Sequence, residues 1–159
     1  MFREIRRKDR ILDNELAIRL LEEAEYGFFG HVGDKWVWVW NPDQLCKGRG
    51  FYLFPFAAPE GYKLECLREN PKVSFTVVGA TQIVPGKFTT GYESTIAFGE
   101  IHLDLPEEER RYALRLLVNK YSSAFKEIGE KYIEKSFYRT NILRLDISHI
   151  SGKCKRLSQ

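Results

Sequence analysis

The strand-like segments of this chain follow one another with short connections, and this feature limits the possible folds more than any other. A Gly33-Asp34 pair separates the first two apolar runs, which predicts a β-hairpin with a tight turn. Hairpins join antiparallel strands, whereas parallel strands need a long crossover. The sequence therefore predicts a mainly β protein with flanking helices (α+β), whose six to seven antiparallel strands close into a small barrel. The strand-like segments are FFGHV, KWVWVWN, GFYLFPF, KVSFTVVG, TQIVPGK, YESTIAFGEIHLDL and TNILRLDISHI.

Three longer segments have the spacing and end signals of helices. In LDNELAIRLLEEAEYG, Asp13 is placed to accept from a backbone N–H at the helix start, and Gly27 marks the end. DLPEEERRYALRLLVNKY opens with Asp104 and Pro106, and its acidic first turn suits the helix dipole. AFKEIGEKYIEK predicts more helix, weakened by Gly129. These helices are expected outside the barrel.

The segment WVWVW is apolar on both faces of its predicted strand. Trp36, Trp38 and Trp40 point to one side, and Val37 and Val39 point to the other. We expect both sides to be covered, which a small monomeric barrel does with difficulty. Exposed apolar patches of this kind usually mark interfaces. The strand therefore predicts a dimer.

Length and composition indicate one domain, residues 1–159, with charged tails of about 1–8 and 153–159. No apolar run approaches the roughly 20 residues that a membrane span needs, and the charged start shows no signal peptide. The expected location is therefore the cytoplasm, with no membrane partner. The net charge of +3 is too small to favour nucleic-acid binding, since most of the basic excess lies at the two ends.

The three cysteines of the chain do not predict a disulfide framework or a metal site. The number of cysteines is odd, and no two of them have CxxC spacing: they are Cys46, Cys66 and Cys154. The three histidines are scattered, so no zinc-ligand spacing is present either.

The stretch AAPEGYKLECLRENPKVSF combines a helix start with a lysine. Ala58-Pro59-Glu60 predicts the start, and Asn70-Pro71 predicts the end. The open N–H groups of a helix start favour an anion, Gly61 allows a ligand to approach the backbone, and Lys63 adds a point charge that suits phosphate. The residues alone leave two roles open for Lys63, a phosphate ligand or a solvated surface lysine.

Four segments together resemble the flavin-binding split barrels, over roughly residues 5–153. The resemblance is strongest to the subgroup related to pyridoxamine 5'-phosphate oxidase and to the nitroimidazole-resistance proteins. It implies a split β-barrel of the FMN-binding type and a homodimer with the cofactor at the subunit interface. The segments are GHVGDKWVWVWNP, YLFPFAAPEGYKLECLRENPKVSFTV, YESTIAFGEI and LRLDISHISGK. The middle motif matches at Gly61, Lys63, Leu64, Leu67, Asn70, Pro71 and Val73.

The resemblance also implies a cofactor site. Lys63 would hold the flavin phosphate, and the tryptophan-rich strand would run along the isoalloxazine ring. Asn41 would either cap that strand or reach the ligand, and Ser94 would either contact the flavin or face solvent. No side chain presents itself as a general base, so no catalytic residue is assigned. The implied cofactor-binding residues are Trp36, Val37, Trp38, Val39, Asn41, Phe56, Ala57, Ala58, Gly61, Lys63, Leu64 and Ser94.

Departures from the family pattern narrow the expected activity. Phe56 stands where the resistance subgroup carries a histidine, so nitroimidazole reduction is not expected. The oxidase uses an arginine and an Arg-Lys pair where this chain has Trp38, Tyr62 and Lys63, so oxidation of pyridoxamine phosphate is not expected either.

The resulting expectation is an FMN-dependent oxidoreductase, with FAD as the less favoured cofactor and a small-molecule redox substrate. One alternative is a non-catalytic flavin- or haem-binding protein of the same fold. Haem ranks below flavin because no His-rich or Cys-based axial-ligand pattern is present. A further alternative is an interaction module that has lost its cofactor.

Overall fold

The computed structural model of the chain describes residues 2–33, 37–40, 44–56 and 60–157. Within these ranges, seven strands form one sheet in the order β2-β1-β5-β6-β7-β4-β3, and every neighbouring pair is antiparallel. This confirms the predicted mainly β fold with flanking helices. The strands are β1 (Phe28–Val32), β2 (Val37–Val39), β3 (Cys46–Lys47), β4 (Tyr52–Phe56), β5 (Lys72–Val84), β6 (Thr89–His102) and β7 (Asn141–Lys155).

The predicted helices form, but α1 ends at Glu23, four residues before the predicted end signal at Gly27. At the start of the first helix, the Asp13 carboxylate accepts hydrogen bonds from the N–H groups of Glu15 and Leu16, at 2.9 and 3.4 Å. None of the described helices is both long and apolar enough to span a bilayer. The α-helices are α1 (Asn14–Glu23), α2 (Tyr62–Glu69), α3 (Glu107–Tyr121) and α4 (Lys126–Ser136).

The sheet differs from the sequence prediction in three places. The segments predicted as a strand and a separate short strand form one strand, β5, with a register shift between Val78 and Thr81. The two-residue β3 was not predicted, because alternation cannot be recognised over so short a stretch. β7 continues to Lys155, into the stretch expected as a tail, and Leu12 N–H donates to the Gly152 carbonyl nearby.

Aromatic rings fill the main core, on the inner face of the sheet. The rings of Phe29, Phe54 and Phe75 contact one another, with centroids 4.5 to 5.0 Å apart. Leu64 and Leu67 of α2 are buried in the same cluster, as their spacing predicts. A second cluster, around Leu53, Ile142 and Leu117, seats α3 against β4 and β7.

The valine face of β2 is open in the single chain. Val37 and Val39 are 71% and 70% exposed, whereas Trp38 and Trp40 on the other face are partly buried. The expectation that this strand is covered on both sides is therefore wrong for one chain by itself. The reason is that β2 lies at the sheet edge and the described helices pack elsewhere. Trp36 lies outside the described residues.

Candidate functional site

An open cleft of about 890 Å³ lies between β2 and β4 on one side and α3 and α4 on the other. Trp38, Trp40 and Pro55 line its sheet side, and Lys63 from the start of α2 also lines it. The opposite side is formed by Leu114, Leu117, Val118 and Ile133. The cleft therefore joins elements that are far apart in the sequence.

Lys63 is a buried cation, with only 8% of its surface exposed. Its Nζ atom lies 5.2 Å from the ring centroid of Phe29 and 5.5 Å from that of Trp40. Such cation–π contacts stabilise an ammonium group by roughly 0.5–2 kcal/mol. The burial excludes the solvated surface lysine, while the phosphate role stays a prediction.

The position of Lys63 in its helix is electrostatically unusual. It is the second residue of α2, and the partial positive charge of a helix start disfavours a cation there. Glu65 in the same turn is exposed. An anionic ligand at this helix start would interact favourably with both the lysine and the helix dipole.

Gly61 sets the geometry of the helix start. Its φ of 143° lies in a region that glycine adopts readily, and a Cβ built there would meet nothing within 4 Å. The helix begins at Tyr62, so the predicted start at Ala58-Pro59-Glu60 is wrong at Glu60, which precedes the helix. Gly61 is the residue before the first helical residue, and its φ allows the chain to enter the helix, while Ala58 and Pro59 lie outside the described residues.

Two indole rings form a flat wall on the sheet side. The rings of Trp38 and Trp40 are 6.1 Å apart and inclined by 22°, and Tyr62 meets Trp38 edge-on at 5.5 Å. The indole N–H groups of both tryptophans are buried without a hydrogen-bond partner among the described residues. Trp40 and Tyr62 were absent from the predicted site. The alternation in WVWVW places Trp40 on the same face as Trp38, so this pattern could have predicted Trp40 as a site residue.

Three predicted residues lie on the outer face of the sheet instead. Val37 and Val39 point outward from β2, and Ser94 lies on the same outer face in β6. β1 and β5 separate the two strands, and Lys63 contacts the inner side. One chain therefore does not bring Ser94 and Lys63 together, although Val39 is also among the residues that border the cleft.

The other predicted residues do not contribute described side chains to the cleft. Leu64 is fully buried in the core, so its side chain packs rather than binds. Phe56 pairs with Asn141 at the end of β4, but its side chain is not described. The remaining predictions lie outside the described residues: Trp36, Asn41, Ala57 and Ala58.

The described lining of the cleft contains no His, Cys, Asp or Glu. His31 of β1 is buried, with Nε2 2.9 Å from the Asn70 carbonyl oxygen. His102 lies elsewhere, with Nε2 3.0 Å from an Asp146 carboxylate oxygen. In the part of the chain that the structure describes, no group of three or more potential metal ligands converges.

A second lysine, Lys120 of α3, lies in a junction that we define by Ala24, Leu45, Cys46, Lys120 and Tyr121. Lys120 Nζ donates to the carbonyls of Ala24 and Leu45, both at 2.9 Å. Burial lowers the pKa of Lys120 and raises the pKa of the Cys46 thiol to about 12. The junction ties α1, α3 and β3 together.

Comparisons with solved structures support the fold. A candidate 5-nitroimidazole antibiotic resistance protein from Bacteroides thetaiotaomicron is 20% identical, with a TM-score of 0.73 over 91% of this chain and 86% of that one. An FAD-binding protein from Mesorhizobium loti is 19% identical, with a TM-score of 0.64 over 92% and 98%. An FAD- and haem-binding protein from Mycobacterium smegmatis is 16% identical, with a TM-score of 0.70 over 94% and 75%. At these identities the likeness shows the fold alone.

Comparison at the sequence level identifies the family. No curated protein matches the chain. The model of the family described as pyridoxamine 5'-phosphate oxidase matches residues 13–154, which is most of the chain. The protein therefore belongs to the pyridoxamine 5'-phosphate oxidase family.

Proposed function

We propose that this protein binds a flavin, FMN in preference to FAD, and acts as a flavin-dependent oxidoreductase on a small-molecule redox substrate. The observation that carries the proposal is the buried residue Lys63, at a helix start and in the lining of a cleft. A phosphate at that position would interact favourably with both the helix start and the lysine. FMN has one phosphate and a flat aromatic ring, which match the lysine and the adjacent indole rings.

The size and lining of the cleft fit such a cofactor. Its volume of about 890 Å³ lies within the usual range of small-molecule sites. Trp38 and Trp40 offer aromatic surface and two buried N–H donors without described partners. Among the described lining residues, Lys63 is the one with a full charge, which suits one phosphate group better than a pyrophosphate. Two of the similar folds belong to proteins named for FAD, so FAD is the competitor to test.

In this proposal the flavin supplies the electron chemistry when it is bound. Lys63 holds the phosphate, and the indole rings orient the flat ring system. The apolar side chains of α3 and α4 reduce the access of water to that ring. The described lining offers no carboxylate, imidazole or thiol, so no proton transfer is assigned to a side chain.

Fluorescence titration of two flavins tests the role of Lys63. Lys63→Ala should weaken FMN binding by ten- to a hundredfold, because a charge-assisted hydrogen bond contributes roughly 1.5–3 kcal/mol. Riboflavin lacks the phosphate and should bind the wild type and the variant nearly equally. Lys131→Ala, at an exposed position of α4, is the matched control and should change neither affinity.

Four outcomes would contradict the assignment of Lys63 or the flavin proposal itself. An equal loss of FMN and riboflavin would place Lys63 away from the phosphate. Unchanged binding of both would remove it from the site. A purified wild-type protein with a Soret band, or a colourless one that rejects both flavins, would favour the haem-binding protein or the interaction module instead.

We also infer that the protein is a homodimer with the cofactor at the subunit interface. The open valine face of β2 and the placement of Ser94 on that same face support this, because a second copy could cover the valines and bring its own Ser94 towards the cleft. Val39→Lys should dissociate the dimer in sedimentation experiments, since it places a charge in the interface. Ile128→Lys, equally exposed on α4, is the control. A wild-type monomer of 18.6 kDa at micromolar concentration would contradict the dimer.

A further inference from the structure

The two basic ends of the chain meet at a second pocket. Ile11 pairs with Lys153 in an isolated antiparallel bridge, which holds the first segment of the chain against the last strand. As a result, Arg10 from the first segment and Lys155 from the end of β7 line the same pocket. The basic excess that the sequence divides between two tails is therefore brought together by the fold.

This pocket is open, has a volume of about 660 Å³ and lies beside the hairpin that joins β5 to β6. Three residues of β6 that carry hydroxyl groups also line it, and Lys155 Nζ donates to the hydroxyl of one of them, Thr89. Arginine, lysine and hydroxyl groups are the side-chain donors that phosphate groups use in proteins. The described lining residues of this pocket and of the cleft have no member in common. The three hydroxyl residues are Thr89, Thr90 and Tyr92.

The carboxylate next to Arg10 is bound by another arginine. Arg7 donates to both carboxylate oxygens of Asp9, at 2.8 and 2.6 Å. Nε of Arg10 lies 3.9 Å from the nearer Asp9 oxygen, which is long for an ion pair. The Arg10 side chain is still 28% exposed, so its guanidinium group remains accessible to an anion from the pocket side.

An aromatic ring borders the same pocket at the turn of the hairpin. Phe88 has a φ of 48°, in the left-handed region that is uncommon for an aromatic residue. Its side chain is 97% exposed, and Ile83 in the same lining is 73% exposed. Backbone strain of this kind is concentrated at binding and active sites. The face of the Phe88 ring is therefore available for a flat ring to stack on it.

We propose that this pocket binds a small phosphate ester that carries an aromatic ring, with the phosphate between Arg10 and Lys155 and the ring against Phe88. The two cations match the two charges of a phosphate monoester, and the hydroxyls of Thr90 and Tyr92 supply further donors. The proposal goes beyond the proposed function and does not depend on it, because none of these residues lines the flavin cleft.

Equilibrium dialysis of 2-naphthyl phosphate against the protein with flavin added tests the proposal, with inorganic phosphate as the second probe. Arg10→Ala and Lys155→Ala should each weaken the binding of 2-naphthyl phosphate at least fivefold, because each removes one of the two cations. Phe88→Ala should weaken 2-naphthyl phosphate at least threefold and leave inorganic phosphate unchanged. Lys131→Ala, which removes an exposed cation from α4, is the control and should change neither affinity.

The flavin cleft and the second pocket are distinguished by Lys63→Ala, which should leave the binding of 2-naphthyl phosphate unchanged. A loss with Lys63→Ala, but none with Arg10→Ala or Lys155→Ala, would place the probe in the cleft and overturn the proposal. Equal losses with Lys131→Ala and Lys155→Ala would show only a general attraction to surface charge, which would also overturn it. Urea unfolding of each variant checks that it folds.

Two further results separate this proposal from the dimer and from the flavin. Val39→Lys should keep the binding of 2-naphthyl phosphate, because the described lining comes from one chain. A loss of binding in that variant would mean that a second copy completes the pocket, and the proposal for the single chain would be wrong. If the protein takes no flavin but binds 2-naphthyl phosphate through Arg10 and Lys155, this proposal stands and the flavin proposal is wrong.

Discussion

Two lysines of the protein place their ammonium groups beside aromatic rings, but in different surroundings. In the Lys120 junction, Nζ of Lys120 donates to two backbone carbonyls and lies 4.9 Å from the ring of Tyr121. In the cleft, Nζ of Lys63 lies beside the rings of Phe29 and Trp40. The first environment is built from fixed backbone groups, and the second borders open space.

The helix ends explain why the two sites differ. Lys120 donates to Ala24, the residue that ends α1, where the helix dipole favours a cation. Lys63 lies at the start of α2, where the dipole disfavours one. The two carbonyls thus account for the position of Lys120, whereas the start of α2 favours an anion beside Lys63. Burial by itself would not have separated a structural lysine from a binding lysine.

The largest expected effect is on stability, and it tests this contrast directly. Lys120→Met should lower the free energy of unfolding by about 2–4 kcal/mol, because two carbonyls lose a charged donor. Lys63→Met should lower it by less, about 0.5–2 kcal/mol without flavin, because a methionine packs where the lysine stem lies while the cation–π contacts with Phe29 and Trp40 are lost. Urea unfolding of both variants measures the difference. Equal losses would mean that Lys63 is structural too.

A smaller effect should appear in the pH dependence of the Lys120 junction. The folded state raises the pKa of the Cys46 thiol to about 12, above its value of 9.0 in an exposed thiol. As the pH rises, the unfolded chain therefore loses this proton before the folded chain does. The stabilisation by the protonated thiol is fully present below pH 9 and is lost as the pH rises towards 12. Between pH 8 and 10, wild-type protein should lose about 1.4 kcal/mol more than Cys46→Ala.

Urea unfolding of both proteins at the two pH values measures this difference. An identical pH dependence in the wild type and Cys46→Ala would show that the thiol is accessible in the folded state. The Lys120 junction would then be less closed than the structure indicates, and the contrast with the cleft would be weaker.

Local signals in the sequence were sufficient to predict most of the helices and strands. Asp13 caps α1 as predicted, because an N-cap depends only on residues within one turn. Asn70-Pro71 ends α2 for a similar local reason. The motif around Gly61 and Lys63 indicated the family, which the match over residues 13–154 shows. Elements as short as β3 contain too few residues for an alternating pattern to be recognised.

Tertiary structure decided what surrounds those residues. The sequence left Lys63 either solvated or bound to a phosphate, and its burial depends on Phe29 and Trp40, which precede it by more than twenty positions. The residues of α3 and α4 that line the opposite side of the cleft follow Lys63 by about fifty positions or more. The separation of Ser94 from Lys63 depends on strand order. Local patterns in the sequence determined most of the helices and strands. Hydrophobic burial and strand pairing act between segments that are distant in the sequence, so only packing determined the cleft.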